Sequence, residues 1–353
     1  MNTFRALALA AALLPCAAQA DTLTTPARVS ERAARSMLMA LAPAGARLVA
    51  VGERGIIVYS DDNGAVWHQA EVPVSVTLTG VHFNDPRHGT AVGHDGVVLT
   101  SDDAGRHWRK RLDGNQINRM LEQEATAAVE RARGVPAQLE QAQNAALDLQ
   151  AATKFGPSRP LLAVWYRQST LGFAVGAFGQ ALRTRDGGAS WESLGGRIAN
   201  PDGLHFNAIG HSADGAVMIA GEGGRVYRSN DDGDSWHAID TGYKGPLYGV
   251  IETAPGKLLA YGFGGNALRS DDGGKHWSAL PRLGSKNLIG AVLSADGKLL
   301  LAARDGAIFR SADRGRSFEC VHVGRRLELA GMALAGNHIA LAGIGGVHTE
   351  GTP

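Results

Sequence analysis

The chain has 353 residues, with 35 basic and 34 acidic side chains and 47 glycines. A balance this close to neutral argues against a general polyanion binder such as a nucleic-acid protein. Only one of the two cysteines, Cys320, lies beyond residue 20, so the mature chain has no intramolecular disulfide to staple it.

The first element in chain order is a targeting segment. Arg5 is the only charge among the first twenty residues, an apolar run extends from Ala6 to Leu14, and Ala18-Gln19-Ala20 has the small-x-small pattern of a signal-peptidase site. Cleavage after Ala20 is expected, with export to the periplasm. A lipoprotein reading would have to use Cys16, but Pro15 just before it makes a poor lipidation site. No later stretch is long and apolar enough to span a bilayer, so direct membrane insertion is not expected.

A repeat then dominates the chain. Ser60-x-Asp62-x-Gly64-x-x-Trp67 returns at Ser101/Asp103/Gly105/Trp108 and Thr184/Asp186/Gly188/Trp191. It returns again at Ser229/Asp231/Gly233/Trp236, Ser270/Asp272/Gly274/Trp277 and Ser311/Asp313/Gly315/Phe318. This is the Asp-box pattern. The aspartate accepts hydrogen bonds from turn amides, the glycine takes a positive φ, and the aromatic ring starts the next strand and packs between sheets. The six aspartates, Asp62, Asp103, Asp186, Asp231, Asp272 and Asp313, are therefore read as structural.

The boxes are 41, 83, 45, 41 and 41 residues apart, so the 83 could hide a unit. A second repeated element, strand–turn–glycine–strand, removes that ambiguity. It is centred on Gly55, Gly96, Gly179, Gly224, Gly265, Gly306 and Gly346, which makes seven units, with only Gly179 falling inside the long gap. A small residue also recurs on the opening strand of each unit: Ala40, Gly80, Ala163, Ala208, Gly249, Gly290 and Gly331. Such residues suit strands crowded around an axis. The predicted fold is an all-β, seven-bladed β-propeller occupying residues 21–353. Because the seventh unit stops before a box, the segment Thr22–Thr25, ended by Pro26, is expected to supply its missing outer strand and close the ring.

The extra residues of the long gap, about 115–155, read as an inserted helical hairpin. Gln116 to Arg133 and Ala137 to Ala152 are rich in helix formers, and Gly134-Val135-Pro136 separates them. Ile117, Leu121, Ala125, Ala128 and Ala132 are expected to form one apolar stripe, facing Leu139, Ala142, Ala146 and Leu149.

Two sets of positions exceed what the repeat needs. The turns before the repeated glycine carry Glu53 and Arg54, His94 and Asp95, Phe178, Glu222, Phe263, and Arg304 and Asp305. Equivalent turns of a propeller share one face, and aromatics beside charges suit a protein-binding surface. The second set is Arg183, Arg228, Arg269 and Arg310, just before the box serine. An arginine stem packed along its strand, with its head on a nearby acid, is the simpler reading than an arc for acidic partners.

No metal-ligand spacing emerges from the twelve histidines; His68, His107, His237 and His276 simply flank box tryptophans. No cofactor is expected. Asp boxes also occur in sialidases, whose chemistry needs an arginine cluster, a tyrosine nucleophile and a carboxylic acid. No local pattern assigns that role to any of the six tyrosines, and Cys320 is expected to be packed on a strand.

The boxes, their number and the stretches Arg159-Pro160-Leu161-Leu162-Ala163-Val164-Trp165 and Gly172-Phe173-Ala174-Val175-Gly176-Ala177-Phe178-Gly179 carry a family likeness. The sequence resembles the photosystem II stability/assembly factor family, in its form from non-photosynthetic bacteria, over essentially the whole mature chain. The resemblance implies a non-catalytic propeller that helps membrane complexes assemble. It also implies a companion of transporters of the resistance-nodulation-division type or of their periplasmic accessory proteins. A monomer is expected. The alternative is an exported, sialidase-like propeller that binds or hydrolyses glycans.

Overall fold

The structure is a computed structural model that describes residues 21–352 apart from Phe155, Ser158, Ala295, 324–327 and Asn337. The expected signal segment lies outside the described residues.

Among the described residues, seven antiparallel sheets follow one another along the chain, six with four strands and the last with three. Their first strands are Leu38–Ala44, Leu78–Phe83, Leu161–Tyr166, Phe206–His211, Leu247–Ala254, Leu288–Leu293 and Leu329–Ala335. Each of these touches the first strand of the next sheet, and the seventh touches the first again. The sheets are therefore seven blades around an axis, with the first strands innermost. The small residues lie where these strands meet: a Cβ on Gly80 would come within 3.3 Å of the Ala163 Cα, and one on Gly331 within 3.3 Å of the Ala40 Cα.

Second strands are sandwiched on both faces by neighbouring blades, which is why they read as unbroken apolar runs. Gly89–Gly93, Gly172–Gly176, Val217–Gly221 and Leu299–Ala303 are buried throughout. Among the described residues the core divides into seven clusters, one between each pair of adjacent blades. The box aromatics sit in six of them: Trp67, Trp108, Trp191, Trp236, Trp277 and Phe318 each pack against the preceding blade. Trp236, for example, meets Phe173 of blade 3 edge to face, with ring centroids 6.5 Å apart. The interface of blades 6 and 7 has no box and is filled by Leu300, Ile308, Leu329, Ile339 and Leu341.

The expected ring closure is corrected by the structure. Thr22–Thr25 is a turn, not a strand, because the amides of Leu23, Thr24 and Thr25 all bond to Asp21. The Leu23 side chain is buried between blades 1 and 2; the Thr22 carbonyl accepts from the Ser75 amide, and beyond the turn the Ala27 amide donates to the Val72 carbonyl. Blade 7 keeps three strands, and the ring closes through its inner strand instead. The chain does reach blade 7 later, where the one-turn helix Ala33–Arg35 lies against the third strand, Gly346–Gly351.

The insertion forms α1 (Gly114–Arg131) and α2 (Pro136–Thr153). Asp113 and Gln116 make a reciprocal capping box that starts α1. The expected pairing of the two apolar stripes is corrected in part. Ile117 is buried against Val98, Leu161 and Leu182 of blades 2 and 3, with Leu121 beside it, so the start of α1 docks on the propeller rather than on α2. No residue of α2 is buried. Among the described residues, no helix is long and apolar enough to cross a membrane.

Candidate functional site

Strand order divides the propeller into two faces. Loops between first and second strands and the Asp boxes emerge on one; turns between second and third strands, the blade-to-blade connections and the helical hairpin emerge on the other. The two faces treat their polar groups differently.

On the box face the residues of each box engage one another. The Ser60 hydroxyl donates to Asp62 Oδ1 at 2.7 Å and accepts from the Gly64 amide at 2.8 Å, and the Val66 amide donates to Asp62 at 2.9 Å. The indoles of Trp67, Trp108, Trp236 and Trp277 donate to the carbonyl of their own box glycine, whereas Trp191 Nε1 finds no acceptor. The residue before the aromatic ring closes the box: His107, Ser190, Ser235, His276 and Ser317 bond to the second carboxylate oxygen at 2.5–2.6 Å. His107 and His276 thus have a role that their exposure did not suggest.

These bonds hold the carboxylates ionised. Burial works to raise Asp103, but bonds from His107, Ser101 and turn amides outweigh it and bring it to about 2. The Ser190 and Ser235 hydroxyls and amides do the same for Asp186 and Asp231, both at about 2, and Asp62, Asp272 and Asp313 are also lowered. In return, the bond to Asp103 raises His107.

The four arginines are engaged too. Arg183 bonds Glu192 at 2.7 Å and Asp234 at 2.8 Å; Arg269 bonds Asp271 and the Arg314 carbonyl; Arg310 bonds Glu319; and Arg228 pairs with Asp214. Arg183 and Arg269 are buried. The packed-stem reading holds for the arc.

The turn face is built by a device that repeats seven times. The first turn residue sends its amide to the carbonyl just before its blade's inner strand: Glu53 to Met37, His94 to Thr77, Ala177 to Pro160, Glu222 to His205, Phe263 to Pro246, Arg304 to Asn287 and Ile344 to Glu328. In the six blades where glycine precedes the turn, the approach leaves no room for a Cβ on that residue. On Gly176 it would lie 2.1 Å from the Pro160 oxygen. This first glycine of each turn (Gly52, Gly93, Gly176, Gly221, Gly262 and Gly343) was legible as a repeat, but only the second was singled out. In blade 6 Ala303 takes its place, and there the turn changes type: the Gly306 amide bonds back to Ala303.

The candidate partner residues are distributed unevenly. Glu53 and Glu222 face inward, accepting from the Met37 and His205 amides at 3.0 and 2.9 Å. Asp95 accepts from Thr22, and Arg304 lies 3.4 Å from Glu328. Arg54, His94 and Asp305 are exposed. Phe178 and Phe263 are 59% and 52% exposed. Phe178 adopts φ +55°, a left-handed conformation that a bulky side chain adopts only at a cost, and its ring meets His205 edge-on at 4.9 Å. Ile344, Val29, Met37, Val135 and Leu147 add exposed apolar surface on the turns, the N-terminal segment and the hairpin, while Val66 and Leu293 are exposed on the box side.

Between α1 and blade 3 this face contains a cavity of about 180 Å3. Gln180, which follows the Phe178–Gly179 turn, lines it. Gln180 is 7% exposed, and neither its amide nitrogen nor its oxygen has a partner among the described residues. The sequence offered no signal for this.

The inner strands carry no arginine or lysine and one carboxylate, Glu252, which accepts from the Gly256 and Ala213 amides. His82 is lowered to about 4 by burial and by His211. Burial pushes Tyr166 up to about 12, with its hydroxyl on Thr90, and Tyr261 upward as well, the opposite of what a tyrosine nucleophile needs. Among the described residues no cluster of side chains could hold a metal ion. Cys320, expected to be packed, is exposed on the outer strand of blade 6.

No curated protein matches the chain. Solved structures do. The chain is similar to "YCF48 bound to D1 peptide", with 16% identity, a TM-score of 0.64 and coverage of 91% of this chain and 94% of that one. It is similar to YCF48 from Cyanidioschyzon merolae at 14% identity and TM-score 0.62, covering 93% and 98%. The WD40 propeller domain of Doa1 follows at 8% identity, TM-score 0.62, covering 93% and 95%. At these identities the likeness carries the fold alone. The family model described as "Photosynthesis system II assembly factor YCF48" matches residues 43–127 and 149–292, skipping the tip of the hairpin. With most of blade 1 and the whole of blades 2 to 5 inside that match, the chain belongs to the photosystem II assembly factor family.

Proposed function

We propose that the protein is an exported, non-catalytic propeller that assists the assembly or stability of a membrane protein complex, engaging protein partners through the turn face and the hairpin. The observation that carries this reading is the set of exposed apolar side chains, Phe178, Phe263 and Ile344, on turns that are rigidly anchored. Family membership supports it, and a solved structure with the same fold is YCF48 bound to D1 peptide. The axis, without arginines and with raised tyrosines, favours binding over glycan hydrolysis.

The signal segment directs the protein to the periplasm, where it acts as a monomer. Its client is a transporter of the resistance-nodulation-division type or an accessory of one, an assignment that rests on the family resemblance alone. The test is crosslinking and affinity capture of the mature protein from intact envelope. Recovery of such a transporter, lost on deleting residues 115–155 or on Phe263→Ser, supports the reading. Binding of an acidic sugar with no protein partner overturns it. Intact mass of the exported protein checks cleavage after Ala20.

A further inference from the structure

Blades 1 and 2 bury Ile56 and Val97 immediately after the turn glycine. Blade 5 has Asn266 there, and its amide is satisfied by the Phe263 carbonyl at 2.7 Å and the Tyr243 hydroxyl at 3.4 Å. Blade 3 has Gln180, equally buried, with its amide unpartnered. An unmatched buried amide is destabilising, and a native fold that retains one invites a functional explanation.

The surroundings indicate what would satisfy it. Ile117 and Leu121 of α1, with Ile198 opposite, supply apolar walls, and Phe178 stands exposed at the rim. Arg159, half-buried at the same cavity, makes no ion pair with any described residue. A volume of about 180 Å3 falls short of the ~300 Å3 at which sites for drug-sized ligands begin, but admits one large side chain. A carboxamide offers one donor and one acceptor side by side, the complement of a peptide group. A free guanidinium favours a carboxylate.

We propose that the cavity between α1 and blade 3 is an anchor site for an extended segment of a protein partner, taking one apolar side chain next to an acidic residue. Gln180 pairs with the segment's backbone, Arg159 with its carboxylate, and Phe178 covers the entry. This rests on the proposed function and narrows it to one place on the turn face, a place that exists only because the insertion docks there.

The probe is a dye-labelled octapeptide with Leu-Asp at its centre and Thr and Ser flanks, read by fluorescence anisotropy against the mature protein. Matching peptides carry Leu-Lys or Ser-Asp at the centre. The Leu-Asp peptide is expected to bind at least tenfold more tightly than either. Gln180→Met, nearly the same shape without the polar atoms, is expected to weaken it at least tenfold while raising Tm by roughly 1–3 °C, since the unmatched amide is gone. Arg159→Gln should remove the preference for Asp over Lys. Leu121→Trp, which fills the cavity from the helix side, should block binding in a folded protein. No binding of any peptide, or equal binding by the wild type and Gln180→Met, overturns the proposal. If envelope capture still depends on Phe263 and the hairpin while the probe fails, the anchor site falls and the wider face stands. If the probe binds through Gln180 while capture ignores the face, the proposed function falls instead.

Discussion

The two faces of this propeller are made from the same repeat and spend it differently. On the box face, serine, aspartate, glycine and tryptophan bond to one another within eight residues, and the four arginines that precede the box serine are tied to acids. On the turn face only the backbone repeats, through the seven amide–carbonyl anchors, and the side chains vary freely above it. Saturated chemistry makes a fold, whereas a rigid backbone with unconstrained side chains makes a place to vary a binding surface. The insertion grows from the second face, and its first two turns extend the core there through Ile117.

Substitutions should separate the faces by their effect on stability. Trp236→Ala opens the cluster between blades 3 and 4 and should cost about 3–5 kcal/mol in denaturant unfolding; a loss below 1 kcal/mol would mean that the boxes are not the pins of the fold. Gly176→Ala, pressing a methyl group on the Pro160 carbonyl, should cost about 2–4 kcal/mol. The reverse change where the repeat already tolerates a side chain, Ala303→Gly, should cost about 1 kcal/mol. Both are measured as shifts in unfolding midpoint.

Acid should attack the box face first. The box aspartates are depressed in the folded state, so their contribution is complete above the ordinary carboxylate pKa near 4. It is lost as pH falls through the folded values at about 2. A thermal melt followed between pH 5 and pH 2 should show Tm falling chiefly below pH 4. The raised His107 works in the other sense: its contribution is present below its unfolded pKa near 6.5 and fades as pH rises through the higher folded value. His107→Ser, which keeps a donor as blades 3 and 4 do, should abolish that second, smaller dependence. The smallest effect belongs to the turn face. Phe263→Ser should change stability by less than about 0.5 kcal/mol, because the ring is already half in water.

How much of this was legible in the sequence follows from the length scale of each interaction. Asp62, Gly64 and Trp67 interact within eight residues, so their spacing announced both their geometry and their number, and seven units required a seven-membered ring. The placement of the turns on one face followed from strand alternation alone. The sequence also determined that an insertion of helical character separates the second and third units, because helix propensity is local.

Tertiary structure decided the rest. Thr22–Thr25 has strand-forming residues, yet Asp21 captures its amides and Leu23 finds a pocket between blades 1 and 2. Ile117 and Leu121 form a plausible stripe for α2, but a deeper apolar surface was available on blades 2 and 3. Glu53 and Glu222 looked free and are held by amides that lie far from them in sequence. Gln180 occupies a position where blades 1, 2 and 5 place isoleucine, valine and an asparagine bonded through its amide nitrogen. Only the packing of α1 over it reveals that its amide is buried without a partner, because satisfaction of a polar group depends on which distant segment arrives above it.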